Sequence, residues 1–79
     1  PFANVFPNPT SSDFITLNWN NLDANSVYEL YNSAGSRVGG GALNSSSGSK
    51  LVDLPFAKGM YILKIHSKGR VIAKRFSKK

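Results

Sequence analysis

The chain has 79 residues, room for one domain, and Leu, Ile, Val and Phe make up 21 of them, about 27%, above the ~20% below which chains tend to stay disordered. It has no cysteine, which excludes a disulfide or a thiolate-metal staple, and no apolar run approaches the ~18 residues of a membrane-spanning helix, so no membrane insertion is expected. The net charge of +6 is lopsided: residues 1–49 sum to −2 and residues 50–79 to +8, a field that attracts nucleic acid, anionic lipid or acidic protein without choosing among them.

The opening PFANVFPNP lacks the basic and apolar regions of a signal peptide, and a start at Pro1 rather than methionine suggests a segment of a longer protein. Period-two alternation then recurs with no sustained 3.6-residue apolar stripe, which predicts an all-β chain. FITLNW (14–19) sets Ile15, Leu17 and Trp19 on one face, as a half-buried strand requires. NNLDANS has turn chemistry, because Asn, Asp and Ser side chains bond nearby backbone groups. VYELY (27–31) is oriented by Glu29, whose charge belongs in water, so Tyr28 and Leu30 point inward. SRVGGGAL (36–43) is a weaker strand, since three consecutive glycines offer no packing; a bulge or frayed edge is expected there. NSSSGS (44–49) reads as a loop and KLVDL (50–54) as a short strand stopped by Pro55.

The final hairpin is predicted in register. A two-residue turn at Lys68-Gly69 makes Ile65 face Ile72, Leu63 face Lys74 and Tyr61 face Phe76. The core face is then Tyr61, Leu63, Ile65, Ile72 and Phe76, with Lys74 as an intruder. An inward ammonium must snorkel or meet an acid such as Glu29 or Asp53, or else mark an edge strand whose inward charge discourages stray pairing. Six to seven short strands separated by turns fit an immunoglobulin-like antiparallel β-sandwich; a small barrel is the competing architecture.

Catalytic chemistry finds little footing. His66 is the sole histidine, it sits on the wetter face of the hairpin, and no nucleophile motif accompanies it. The glycine run Gly39-Gly40-Gly41 lacks the Lys-Ser or Lys-Thr of a phosphate loop, and Asp23-Ala24-Asn25 falls short of a calcium loop. Asn44-Ser45-Ser46 matches a glycosylation sequon, which marks at most an exposed loop. Lys68, Arg70, Lys74, Arg75, Lys78 and Lys79 raise nucleic-acid binding, but aliphatic residues rather than stacking aromatics separate them, so no specific nucleic-acid partner is expected. An adhesion or carbohydrate-binding module would instead need Trp19, Tyr28 and Tyr31 exposed on one flat face.

Four blocks carry a resemblance: Phe6-Pro7-Asn8-Pro9; Tyr28 to Val38 (YELYNSAGSRV); Val52 to Ile65 (VDLPFAKGMYILKI); and the basic finish Lys74-Arg75-Phe76-Ser77-Lys78-Lys79. In this order and spacing they resemble the C-terminal sorting domains of cargo proteins of the type IX secretion system of Bacteroidetes. Asn32 stands where similar sequences usually carry an acid, and Ser36 separates Gly35 from Arg37. The resemblance implies a single β-sandwich domain over 1–79 that performs no catalysis and needs no cofactor or metal. It would end a larger secreted protein, follow an N-terminal cargo through the periplasm, and be engaged by the outer-membrane translocon. A sortase-like protease would then remove it at the cell surface. The recognition candidates are Gly59, Tyr61, Lys64, Lys74, Arg75, Lys78 and Lys79. For Gly59 a turn conformation, and for Tyr61 a ring packed in the core with its hydroxyl at the rim, are the simpler roles.

Overall fold

The computed structural model describes residues 2–54 and 57–79; the strand stop expected at Pro55 lies outside them. Among the described residues seven strands follow in order: β1 Phe2–Phe6, β2 Phe14–Asn20, β3 Val27–Asn32, β4 Arg37–Ala42, β5 Gly48–Asp53, β6 Gly59–Ser67 and β7 Arg70–Lys78. They form two antiparallel sheets, β1-β2-β5 and β4-β3-β6-β7. Two separate sheets with free edges are the expected immunoglobulin-like sandwich, not a closed barrel.

The inward residues are those that alternation selects. Ile15, Leu17 and Trp19 of β2 pack against Tyr28 and Leu30 of β3, with Tyr61, Leu63 and Ile65 of β6 and Phe76 of β7, in one buried cluster. Leu22, Leu43 and Leu54 plug its ends from the connections. β1 points its small Ala3 and Val5 inward and leaves Phe2 and Phe6 exposed. That inversion hides it from a hydrophobicity count. β5 begins at Gly48, two residues inside the expected loop, because Trp19 pairs with Gly48 and Asn18 with Ser49 across the ladder.

β4 is an edge strand, and its pairing with β3 shifts register between Leu30 and Tyr31, as a glycine-rich strand invites. Its glycines have a second use. A Cβ on Gly41 would come within 3.1 Å of the Tyr28 ring, so the missing side chain makes room for the buried aromatic. The turn before β4 is organised by Asn32, whose Oδ1 accepts from the N–H groups of Ala34 and Ser36, both at 3.0 Å. An aspartate would accept the same two bonds, so Asn32 fills the role that its place in the turn demands.

The last hairpin has the expected register from Ser67↔Arg70 to Gly59↔Lys78. Lys68 (φ 50°) and Gly69 (φ 80°) both adopt the left-handed conformation of a two-residue turn. The turn is anchored by buried Ser67, whose hydroxyl accepts from the Asp23 N–H at 3.0 Å.

Core burial on β7 predicts a contrast along one strand. Phe76→Ala should cost about 3–5 kcal/mol, whereas Val71→Thr on the exposed face should stay within about 0.5 kcal/mol. Midpoints of urea unfolding measured for both variants check this.

Candidate recognition surface

The basic end is a strand held along both edges for part of its length. β6 flanks one side of β7, and residues 8–10 lie along the far end of the other. The Thr10 N–H donates to the Ser77 carbonyl at 2.9 Å and the Lys79 N–H to the Thr10 carbonyl at 2.8 Å. The Asn8 side chain spans the same edge, accepting from the Ser77 N–H at 3.2 Å and donating to the Arg75 carbonyl at 3.4 Å. Thr10 is fully buried, and its hydroxyl donates to the Phe14 carbonyl while accepting from the Ser12 N–H. The Phe-Pro-Asn-Pro block and the basic finish, far apart in sequence, thus form one unit of structure.

The candidate residues fall into separate environments. Lys78 turns inward: its side chain is only 9% exposed, and its ammonium donates to the Asp13 carboxylate at 2.9 Å and to the Leu54 carbonyl at 2.7 Å. Tyr61 is buried, stacks on Phe76 with ring centroids 5.8 Å apart, and donates its hydroxyl to the Ala57 carbonyl. Gly59 (φ 150°) starts β6 in a backbone conformation that side-chain-bearing residues rarely adopt, with open space where a Cβ would stand. Lys64 and Arg75 occupy the outward face of the larger sheet, and Lys79 is exposed at the chain end. Lys74 is half-buried on the inward side of β7, facing Leu63 across the ladder.

Neither acid expected for Lys74 reaches it. Glu29 is on the opposite face of the sheet, bonded to His66 Nε2 at 2.6 Å and beside Arg37 at 3.5 Å, while Asp53 belongs to β5 of the other sheet. Lys74 instead sits at an edge strand, where an inward charge opposes stray pairing.

Glu29 centres the outward polar cluster. The hydrogen bond with His66 chiefly and that with the Tyr31 hydroxyl next hold its carboxyl below the usual glutamate range against desolvation, and the charge of Arg37 adds least. Lys64 lies over the Tyr31 ring at 5.0 Å. His66 is thus hydrogen-bonded to an outward carboxylate, and among the described residues no hydroxyl nucleophile bonds to it and no group of three or more metal-ligating side chains forms.

Sequence reasoning missed the outer face of the smaller sheet. Trp19 and Tyr28 are buried, which removes the flat aromatic platform of an adhesion module, but Phe2, Phe6, Phe14 and Leu51 are exposed there. Their signal was the inverted alternation of β1. Among the described residues no helix is long and apolar enough to cross a membrane.

The family model described as the secretion system C-terminal sorting domain matches residues 4–79, from the first strand through the basic finish. The chain belongs to this family. It is a C-terminal secretion signal of the type IX system, which implies export to the cell surface or extracellular space and engagement of that system by a domain joined to a cargo. The search of curated proteins returned no match.

Two outcomes test the geometry of the sorting domain. Lys78→Ala should destabilise it by about 1–3 kcal/mol, because it orphans the Leu54 carbonyl, while Asp13→Ala should cost under about 1 kcal/mol, its carboxylate being 85% exposed; denaturant midpoints distinguish them. The depressed Glu29 pKa stabilises the fold above the unfolded-state value of about 4.3, and this contribution is lost as pH falls through the lower folded value. The melting temperature of Glu29→Gln should therefore fall less than that of the native chain between neutral and acid pH.

Proposed function

We propose that the type IX machinery reads this domain as a folded object, and that its cations divide by task. Lys64, Arg75 and Lys79 present charge to the translocon, with Lys74 at the edge of the same strand. Gly59, Tyr61 and Lys78 hold the presenting strand in place. The observation that carries this reading is the clasp between residues 8–10 and Arg75–Lys79, which gives the chain end a fixed position rather than leaving it a loose basic tail. On this reading the domain performs no catalysis and binds no cofactor. It ends a larger protein whose N-terminal cargo crosses the periplasm with it, and a sortase-like peptidase removes it at the surface.

A reporter carrying an upstream periplasmic signal and this domain tests the proposal in a bacterium with the type IX system. Removing residues 70–79 should stop export and strand the reporter in the periplasm. Because that deletion also removes a strand, the deciding variant is Lys64→Gln with Arg75→Gln, both on the outward face, which removes charge without setting a second carboxylate opposite Glu29. Export of the double variant should fall several-fold while purified domain keeps its melting temperature. Undiminished export of a folded double variant would refute the division of roles.

A further inference from the structure

The clasp covers only part of the outer edge of β7. Backbone groups of alternate residues point to the same edge, and those of Arg75, Ser77 and Lys79 that meet Asn8 and Thr10 are all odd-numbered. The N–H and C=O groups of Val71 and Ala73, and the Arg75 N–H, therefore point away from β6 on the uncovered stretch. Among the described residues nothing bonds them. Beside this stretch runs a groove of about 440 Å³ lined by Phe2, Ala3, Arg70, Val71, Ile72 and Lys74. Arg70, Ile72 and Lys74 alternate along one face of β7, so two cations flank an aliphatic residue at the groove. Lys74 is half-buried there with no acid within ion-pair distance among the described residues.

We infer that the open half of β7 is a docking edge for an extended acidic peptide segment of another protein, which adds as a fifth strand to the larger sheet. Main-chain bonds to Val71, Ala73 and Arg75 supply affinity. Selectivity comes from acidic side chains at alternate positions of the peptide, facing Lys74 and Arg70 with an apolar residue between them over Ile72. Charge excludes the obvious competing occupant. A second copy paired antiparallel about Ile72 would bring Lys74 of each copy against Arg70 of the other, and like charges across a ladder repel. This goes beyond the sorting role, since the edge binds or fails to bind in purified domain whatever an export assay gives.

The probe is a fluorescein-labelled octapeptide Thr-Glu-Thr-Val-Thr-Glu-Thr-Thr, whose two glutamates flank the valine on one face of a strand, with the same peptide carrying lysine in place of both glutamates as control. Anisotropy should show saturable binding of the acidic peptide alone, and the Val71 and Ala73 amides should exchange more slowly when it is bound. Ala73→Pro removes an outward N–H from an edge strand, a position that tolerates proline, and should weaken binding about tenfold. Lys74→Glu should weaken the acidic peptide about tenfold or more and admit the basic one; this variant decides the matter if the proline variant fails to fold. No binding at millimolar peptide, equal binding of both peptides, or binding indifferent to Lys74→Glu would each overturn the inference. Self-association of the domain through β7 would overturn it in favour of a second copy.

Discussion

The outer edge of the last strand depends on two residues near the start of the chain, Asn8 and Thr10. Thr10 gives its N–H to Ser77 and takes the N–H of Lys79, and Asn8 bonds Arg75 and Ser77 beside it. A domain of this size has no cysteine to tie its ends together, and its core is a single cluster between two sheets. Joining the ends through hydrogen bonds is entropically tolerable because closure cost grows only with the logarithm of loop length, and most of the intervening chain is already fixed by the sheets. The consequence reaches function: the end of the chain has a defined position and orientation.

That constraint sorts the positive charge. Lys78 lies on the clasped stretch and turns inward to Asp13 and the Leu54 carbonyl, so its charge serves the fold. Arg75 projects outward from the same stretch, on the face that also bears Lys64 and the Glu29 cluster. Lys74, one position along, faces the seam between the sheets. Adjacent cations on a strand are thus separated by the pleat into different environments. A net charge of +6 describes the chain well and its surface poorly.

Much of this was legible in the sequence where one rule dominated. The β6–β7 register followed from Lys68-Gly69 alone, since few residues other than glycine accept the turn's backbone, and every facing pair then follows by counting. Tyr28, Leu30 and Trp19 were placed correctly because each alternates against a polar neighbour. β1 escaped because its buried residues are small and two of its three exposed ones are phenylalanines, the reverse of the usual pattern. The early start of β5 escaped because Gly48 and Ser49 have no strand propensity and are recruited by their β2 partners. Counting puts Lys78 on the face of Phe76, but neither the clasp nor the bond from Lys78 to Asp13 was visible, since both join residues more than sixty positions apart through atoms that carry no periodic signal. For Lys74 the edge-strand explanation was among those open in the sequence; only the sheet order selected it.

Residues 8–10 fix the end of β7 through their bonds to Arg75, Ser77 and Lys79. Amide hydrogen exchange at Ser77 and Lys79, followed in the native domain and in an Asn8→Ala, Thr10→Ala variant, measures that directly. Both amides should be protected well beyond unfolded-peptide rates in the native domain and lose most of that protection in the variant, while the Leu63 and Ile65 amides stay protected. Fast exchange of Ser77 and Lys79 in the native domain, or unchanged protection in the variant, would contradict it.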